Sequence, residues 1–450
     1  MGAPLSKRLR IAVVGGGWAG CAAAVHLVNA GASVTLLEAS RDLGGRARRQ
    51  ELELGGARHV LDNGQHLMIG AYSEVATLLR LIAVSLDSVV ERRPFELRYA
   101  DGFRVQAARL PAPWHLAWAL LAARGLSFGE RTELAGLLRA LKRSHWRLDA
   151  DCGLADWLEA MGQRPRLVAR VWRPLAIAAL NTPLERASAQ MFVNVLRDSL
   201  GAASDASDLW LARMNLSEVL PEAAERFVGD RGCVRRGTRV ETIAQENGVF
   251  RLGIRSSGEL ASLETDAVVY AAPPSQLSRV AERLTGLAPV LEAVERFSFE
   301  PIATIYLKYA EPKATSDRFP RQFTALVEAP DLQGYGQWAF DRGAFEPANR
   351  GVVSVVISAS GKHLEAPIEA LAAGVARQLT AQLGLPAPIA ARGIVEKRAT
   401  LAAVPGLVRP SNATPVPGFV LAGDWTASDY PSTLETAVRS GSAAARLLLP

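Results

Sequence analysis

Cysteine is scarce in this chain: its 450 residues include three, Cys21, Cys152 and Cys233. An odd number spaced so widely supports neither a disulfide framework nor a metal-ligand pattern, so reduced thiols, a cytoplasmic location and no metal are expected. Clustered positive charge is missing too. The 51 Lys and Arg are scattered among 45 Asp and Glu, leaving a net charge of +6, and aromatics are only 6% of the chain. Without basic clusters interleaved with aromatics, nucleic acid is excluded as a partner. No apolar run is long enough to cross a membrane. The opening MGAPLSKRLRIAVVGGG is basic and then apolar, but three glycines break it. It reads as a strand entering a turn rather than as a secretory leader. Gly2 and Ser6 fit the short N-myristoylation pattern, which chance often satisfies.

Hydrophobic residues, by contrast, make up 49% of the chain and charged residues 21%. That composition supports large cores, and the length supports two or three domains. The first informative stretch is RIAVVGGGWAGCAAAVHLVNAGASVTLLE, residues 10–38. A strand, IAVV, enters Gly15-x-Gly17-x-x-Gly20, an alanine-rich helix follows from about Trp18 to Ala30, and a second strand ends in Glu38. Gly15 permits the tight turn, Gly17 lets backbone approach a pyrophosphate, and Gly20 lets the helix pack on the strand. The helix N-terminus offers free N–H groups to phosphate, and Glu38 can accept from ribose hydroxyls. These features predict a Rossmann-type dinucleotide site.

Beyond Glu38 the chain reads ASRDLGGRARR, placing Gly44, Gly45 and Arg46 where they resemble the second phosphate-contacting motif of the flavin amine oxidase and phytoene desaturase superfamily. Near the other end, GFVLAGDWTASDYPSTLETAVRSG (418–441) resembles the segment that completes the flavin site there. The resemblance implies FAD as cofactor, with Asp424 after Gly423 on the ribityl chain. It also implies that a helix beginning near Thr433 and Leu434 points N–H groups at the flavin pyrimidine, where its dipole stabilises negative charge. RRGTRVETI around Val240 and DAVVYAAPP (266–274) are similar to the pieces that bracket the adenine. Trp18, Ala19, Ala39 and Ala437 complete the implied cofactor-binding set. Sites at opposite chain ends must then meet, so the expected α/β flavin domain is discontinuous: residues 1–90, 230–290 and 395–450.

The intervening residues, 91–229 and 291–394, are expected to form an α+β substrate domain. FELRYADGFRVQAA alternates around Asp101-Gly102, a hairpin signal. PIATIYLKY, FTALVEA, YGQWAF and GVVSVVISA read as strands of an antiparallel sheet, and residues 110–228 as helical. Within 111–146, Trp114, Trp118 and Leu121 share a helical face, and Ser127 with Glu130 forms a capping-box pattern ahead of Leu134, Leu137, Leu138 and Leu141. Two readings stand for this stretch: amphipathic helices packed on the core, or a peripheral membrane patch with basic residues meeting anionic lipid. The basic run QRPRLVARVWRP (163–174) either extends that patch or is a solvated surface.

LDNGQHLMIGAY (61–72) suits neither a helix nor a strand. In the superfamily this segment passes beside the flavin ring. Gly64 is therefore expected to admit the ring closely, with Gln65 and His66 facing cofactor or substrate and Asp62 bracing the turn. Together with RPLAIAALNTPLERASAQMFVNVLRDSL (173–200) and the C-terminal motif, the segment resembles the bacterial hydroxysqualene dehydroxylases, also called squalene-associated FAD-dependent desaturases, along essentially the whole chain. That resemblance implies a long-chain isoprenoid substrate, an apolar tunnel, and conversion of hydroxysqualene plus reduced flavin to squalene, water and oxidised flavin. His66, Gln65 and Asn181 are the implied catalytic candidates, with Asp198 a weaker proton donor. A carotenoid-type desaturase using oxidised FAD stays open as the alternative. So do a flavin amine oxidase, whose lysine is expected where Ala303 and Thr304 stand, and a prenyl-binding protein without chemistry. With one GxGxxG-type site, the electron donor is unassigned. The expected location is cytoplasmic, at the inner face of the membrane.

Overall fold

A computed structural model describes residues 8–449; the Gly2 and Ser6 pattern lies outside the described residues. Five parallel strands form the first sheet, in the order Cys233–Arg235, Ser33–Leu37, Arg10–Val14, Ala267–Tyr270, Phe419–Leu421. Its strands come from the start, middle and end of the chain, so the discontinuity expected for this domain is built into the hydrogen-bonded ladder itself. The three strands Arg10–Val14, Ala267–Tyr270 and Phe419–Leu421 are short, mostly apolar and buried, as parallel strands covered on both faces must be, whereas the edge strand Cys233–Arg235 is largely exposed. Helices Trp18–Asn29 and Leu434–Leu448 pack side by side on one face. Their contact is so close that a Cβ on Gly441 would lie 2.1 Å from the Ala19 carbonyl oxygen. An antiparallel meander, Thr238–Glu246, Val249–Ser256 and Glu259–Thr265, covers the other face through Val240, Phe250 and Leu252.

The second sheet is antiparallel, ordered Phe323–Ala325, Trp338–Asp341, Val352–Ser358, Phe299–Lys308, Ala390–Leu401. Side chains alternate across a strand, and strand Phe299–Lys308 uses both faces. Ala303, Ile305 and Leu307 pack under helix Ile368–Leu383. Tyr306 points the other way and donates its hydroxyl to the Asp62 carbonyl at 2.6 Å. This two-domain α/β arrangement is the expected fold class. The hairpin around Asp101-Gly102 is present, with Glu96–Arg98 paired to Arg104–Gln106.

Some boundaries differ from expectation. Residues 209–229 join the flavin-side core, where Leu216, Leu220, Ala224 and Val228 pack with Ala22, Val25 and Leu36. Leu209–Ala212 is a strand inside the stretch expected to be helical, and it pairs with Met68–Ile69 and Val90–Arg93. Four consecutive apolar residues carry no helical period, and an unpaired partner edge decided the outcome. Segment 61–72 accordingly contains a short strand, Met68–Ile69.

The two readings of 111–146 divide between two helices. Phe128–Arg143 is a core helix with the expected Ser127–Glu130 capping box, burying Leu134, Leu137 and Leu141. Helix Trp114–Leu121 buries only His115 and Ala119. It leaves Trp114 66%, Trp118 49% and Leu121 69% exposed, beside Phe128 at 83%. The basic run is ion-paired: Arg164 with Glu133 and Arg166 with Glu130 at 2.6 Å, Arg173 with Glu185 at 3.0 Å, and Arg170 with Asp101. Its charge is compensated locally rather than held free for lipid. Among the described residues no helix is long and apolar enough to cross a membrane.

Candidate cofactor and active site

The carboxyl edge of the parallel sheet is where ligands bind in such folds, and the glycine motifs converge there. Gly15 turns the chain at φ +106°, and a Cβ on it would sit 2.7 Å from the Ala271 carbonyl oxygen. A Cβ on Gly20 would lie 1.8 Å from the Gly15 carbonyl oxygen, so that glycine is demanded by helix–strand packing. Gly17 differs: the nearest atom to its added Cβ is the Gly45 Cα, at 3.9 Å. Nothing in the protein requires glycine there, and the space it leaves faces the N-terminus of helix Trp18–Asn29. The two motifs are joined directly, because Gly17 and Gly44 form a parallel bridge and the Gly44 N–H donates to the Gly16 carbonyl at 2.8 Å. This cradle, lined by backbone and open above Gly17, fits a pyrophosphate group.

Glu38 is buried at the end of its strand, and its carboxylate accepts from the N–H groups of Gly16 and Ser40, both at 2.7 Å. It thereby fixes the glycine loop and retains lone pairs for ribose hydroxyls. Val240 lies two residues beyond Thr238, whose N–H donates to the Glu38 carbonyl at 2.8 Å, so the proposed adenine neighbours share one corner. Ala39 is exposed at that corner, while Trp18 is buried with its indole N–H on the Ala47 carbonyl at 3.2 Å.

Arg46 ties the two chain ends together. Its guanidinium bonds the Asp424 carboxylate at 2.5 Å and the Ala399 carbonyl at 2.6 Å. Gly423 adopts φ +153°, and a Cβ on it would lie 2.3 Å from the Trp425 indole nitrogen. Thr433 caps helix Leu434–Leu448, its hydroxyl accepting from the Thr436 N–H at 3.1 Å while the Ala437 N–H bonds the Thr433 carbonyl. The first N–H groups of this helix stay available for a ligand.

Gly64, at φ +103°, connects the parallel-sheet edge to the antiparallel sheet. A Cβ there would meet the Thr304 hydroxyl at 3.5 Å and the His66 Nε2 at 4.0 Å. Gly64, His66 and Thr304 therefore converge on one point. Burial, and secondarily the positive Arg46, push the His66 imidazole down to about 4. His66 is thus neutral near pH 7, which makes it a hydrogen-bonding group rather than a cationic acid.

Two expected candidates have other tasks. Asn181 ends helix Arg173–Leu180 in a left-handed conformation, φ 46°. Its amide nitrogen donates to the Thr400 hydroxyl at 2.9 Å, and its oxygen accepts from the Ala359 N–H at 2.6 Å. These bonds commit the side chain to joining helix and sheet, so it is not available to orient a substrate hydroxyl. Burial would raise the Asp198 carboxyl, but hydrogen bonds from Arg197 and Tyr430 hold it below the usual carboxylate range. An ionised carboxylate is a poor proton donor. Two cavities lie away from the point where Gly64, His66 and Thr304 converge. One of about 370 Å³ is lined by Pro94, Arg104, Gln106 and Trp118 among others, and one of about 250 Å³ by Tyr335 and Leu371 among others; neither is lined by Gly64, His66 or Thr304.

Two arginines were invisible to motif reasoning. Arg409 is buried and bonds the carbonyls of Ser428 and Tyr430 at 2.5 and 2.6 Å, holding the loop after Asp424. Arg342 is 3% exposed and donates to the Gln65 carboxamide oxygen. Neither stands at a diagnostic spacing, since Arg342 reaches Gln65 across 277 positions and Arg409 reaches Ser428 and Tyr430 across 19 and 21.

With this geometry established, the likeness to known proteins is extensive. The family model for flavin-containing amine oxidoreductases matches residues 18–449. The chain is 31% identical to the hydroxysqualene dehydroxylase of Rhodopseudomonas palustris, over 97% of both chains. It is 28% identical to that of Sinorhizobium fredii, again over 97% of each. The 15-cis-phytoene desaturase of Solanum lycopersicum is 23% identical over 99% of this chain and 78% of its own length. Among solved structures, an oxidoreductase from Methanosarcina mazei superposes with a TM-score of 0.72 at 14% identity, covering 97% of this chain and 99% of that one.

Proposed function

The chain belongs to the flavin-containing amine oxidoreductase family, and on that premise we propose that it reductively removes the hydroxyl of hydroxysqualene to give squalene. At the coarser level it is an FAD-dependent oxidoreductase. The balanced reaction is hydroxysqualene plus reduced FAD giving squalene, water and oxidised FAD. When bound, the reduced cofactor supplies the hydride that replaces the hydroxyl; the protein binds, orients and excludes water.

The observation that carries this reading is the convergence of Gly64, His66 and Thr304 beside the double-glycine cradle. A neutral His66, a hydroxyl and a bare backbone form a small, weakly charged surface suited to a hydrocarbon alcohol. Ala303 and Thr304 occupy the stretch where an amine oxidase of this superfamily is expected to carry its lysine, which disfavours amine oxidation. Likeness to hydroxysqualene dehydroxylases over almost the whole of both chains favours the dehydroxylation over the desaturase alternative. A water-insoluble C30 substrate must be collected from a bilayer, and the exposed Trp114, Trp118, Leu121 and Phe128 form the apolar face best suited to rest in one. The substrate domain, in this reading, is the helical and antiparallel unit beyond the flavin segments. The electron donor is left open.

The test is anaerobic. Photoreduced, FAD-loaded protein mixed with hydroxysqualene in detergent should form one squalene per flavin reoxidised, detected by mass. Flavin that stays reduced with no squalene formed excludes the reaction. Formation of new conjugated double bonds from a polyene by the oxidised protein would instead select the desaturase.

A further inference from the structure

Behind the 62–66 segment, two carboxylates, the buried Asp62 and the partly buried Glu346, share one guanidinium. Arg342 reaches Glu346 Oε1 at 3.1 Å and the Gln65 carboxamide oxygen, whereas Asp62 Oδ2 stands 4.0 Å from it. Both Arg342 and Asp62 are 3% exposed. The second Glu346 oxygen accepts from the Asn349 amide at 2.7 Å, and the His59 ring lies behind on Asn349 Oδ1 at 3.0 Å. The second Asp62 oxygen accepts from the Leu216 N–H at 2.8 Å. Glu218, held by Asn215, adds further negative charge nearby. Arg49, opposite Asp62 across the hairpin, is engaged by Glu222 at 2.5 Å and Asp42 at 3.3 Å. Tyr306 contributes only its bond to the Asp62 carbonyl.

One positive charge cannot compensate two carboxylates in a low-dielectric interior, and an uncompensated buried charge is costly. The economical arrangement keeps one proton in the group. Glu346 has both the guanidinium and the Asn349 amide, while Asp62 has one backbone N–H and a distant arginine, so the proton resides on Asp62. Burial pushes its carboxyl up to about 7 against the opposing pull of Arg342. Arg342 meanwhile has a spare donor: its Nε lacks a hydrogen-bond partner among the described residues.

We propose that Arg342 is a positioning residue that sets the Gln65 carboxamide, and that Asp62, on losing its proton, competes with Gln65 for the same guanidinium. With Asp62 neutral, Arg342 holds the Gln65 oxygen, and the Gln65 amide nitrogen turns to the His66 carbonyl at 3.5 Å. With Asp62 ionised, the guanidinium is drawn across the 4.0 Å gap and Gln65 is released. The orientation of Gln65, one link from Gly64 and His66, thus follows a proton held behind it. The inference rests on the placing of 64–66 at the cofactor proposed above.

The test uses FAD-loaded wild type, Asp62→Asn, Arg342→Gln and Arg342→Lys. Infrared spectra taken across the neutral pH range should show a carboxylic-acid carbonyl band that disappears near pH 7 in wild type and is absent from Asp62→Asn. The flavin absorption spectrum should shift over the same range in wild type and stay fixed, with its low-pH form, in Asp62→Asn. In turnover, Arg342→Gln should lower kcat by about a hundredfold with little change in KM, and Arg342→Lys should recover part of the loss. An Asp62→Asn protein that keeps the band or the spectral titration overturns the proposal, as does unchanged kcat in Arg342→Gln. The near-isosteric Asp62→Asn carries the test if Arg342→Gln does not fold. Both spectra need no hydroxysqualene, so a wrong substrate assignment and a wrong positioning assignment give different results.

Discussion

The two halves of the site are built from different materials. At the carboxyl edge of the parallel sheet the space is shaped by backbone: Gly17, Gly44 and Gly45 clear a cradle at the N-terminus of helix Trp18–Asn29. At the antiparallel sheet it is shaped by buried and partly buried side chains, with Asp62, Gln65, Tyr306, Arg342 and Glu346 gathered from positions up to 284 residues apart, from Asp62 to Glu346. A backbone site must keep its glycine spacing, because one added Cβ fills or breaks it. A side-chain site needs only that its elements fold together, so residues can be exchanged as a group. On the function proposed above, the first kind would fix the cofactor and the second would adapt to the substrate.

The sharpest way to break this contrast is to add carbon to two glycines of one motif. Gly20→Val drives atoms into the Gly15 carbonyl and is expected to cost about 3–5 kcal/mol or abolish folding, measured by chemical denaturation. Gly17→Ala enters open space and should change stability by less than about 1 kcal/mol. It should nonetheless weaken FAD binding by about tenfold, roughly 1.4 kcal/mol, read by fluorescence titration. Equal stability loss in both variants would erase the distinction between packing and ligand glycines. Asp424→Ala, which frees Arg46 from its 2.5 Å partner, should purify with less yellow colour yet unfold at a similar temperature.

A smaller effect sharpens the other half. His66 titrates lower in the folded protein than in the unfolded chain. Protonation therefore favours unfolding, and its contribution to stability is present above about pH 6.5 and lost as pH falls toward 4. His66→Gln should lack that loss, by on the order of 1–2 kcal/mol at mildly acidic pH. A pH profile of denaturation midpoints that is parallel in the two proteins would place His66 in a more polar setting. Smallest in stability is the Trp114→Ser, Trp118→Ser variant, expected within about 0.5 kcal/mol of wild type because both rings are exposed. Its liposome flotation should drop clearly; unchanged flotation would remove the membrane role from that face.

The same division explains what could be read in advance. The strand–turn–helix of residues 10–38 and the capping box at Ser127 follow from local rules about turns, caps and periods, whereas the meeting of the chain ends was implied by the resemblance of the C-terminal motif. Leu209–Ala212 escaped because an apolar tetrapeptide takes the structure of whatever edge it finds. Asn181 was a candidate implied by the resemblance alone; in the fold its side chain joins the end of a helix to the sheet and bonds Ala359. Arg342 and Arg409 gave no sign, since a buried arginine is recognised only by the carboxylates and carbonyls that fold brings to it.

The central claim is geometric, and a crystal structure with FAD tests it most directly. One cofactor per chain should bind, with its pyrophosphate between Gly17 and Gly44–Gly45, its ribityl chain at Asp424 and its ring against Gly64 and Thr304. A ring bound away from Gly64, or a pyrophosphate outside the double-glycine cradle, would contradict the account.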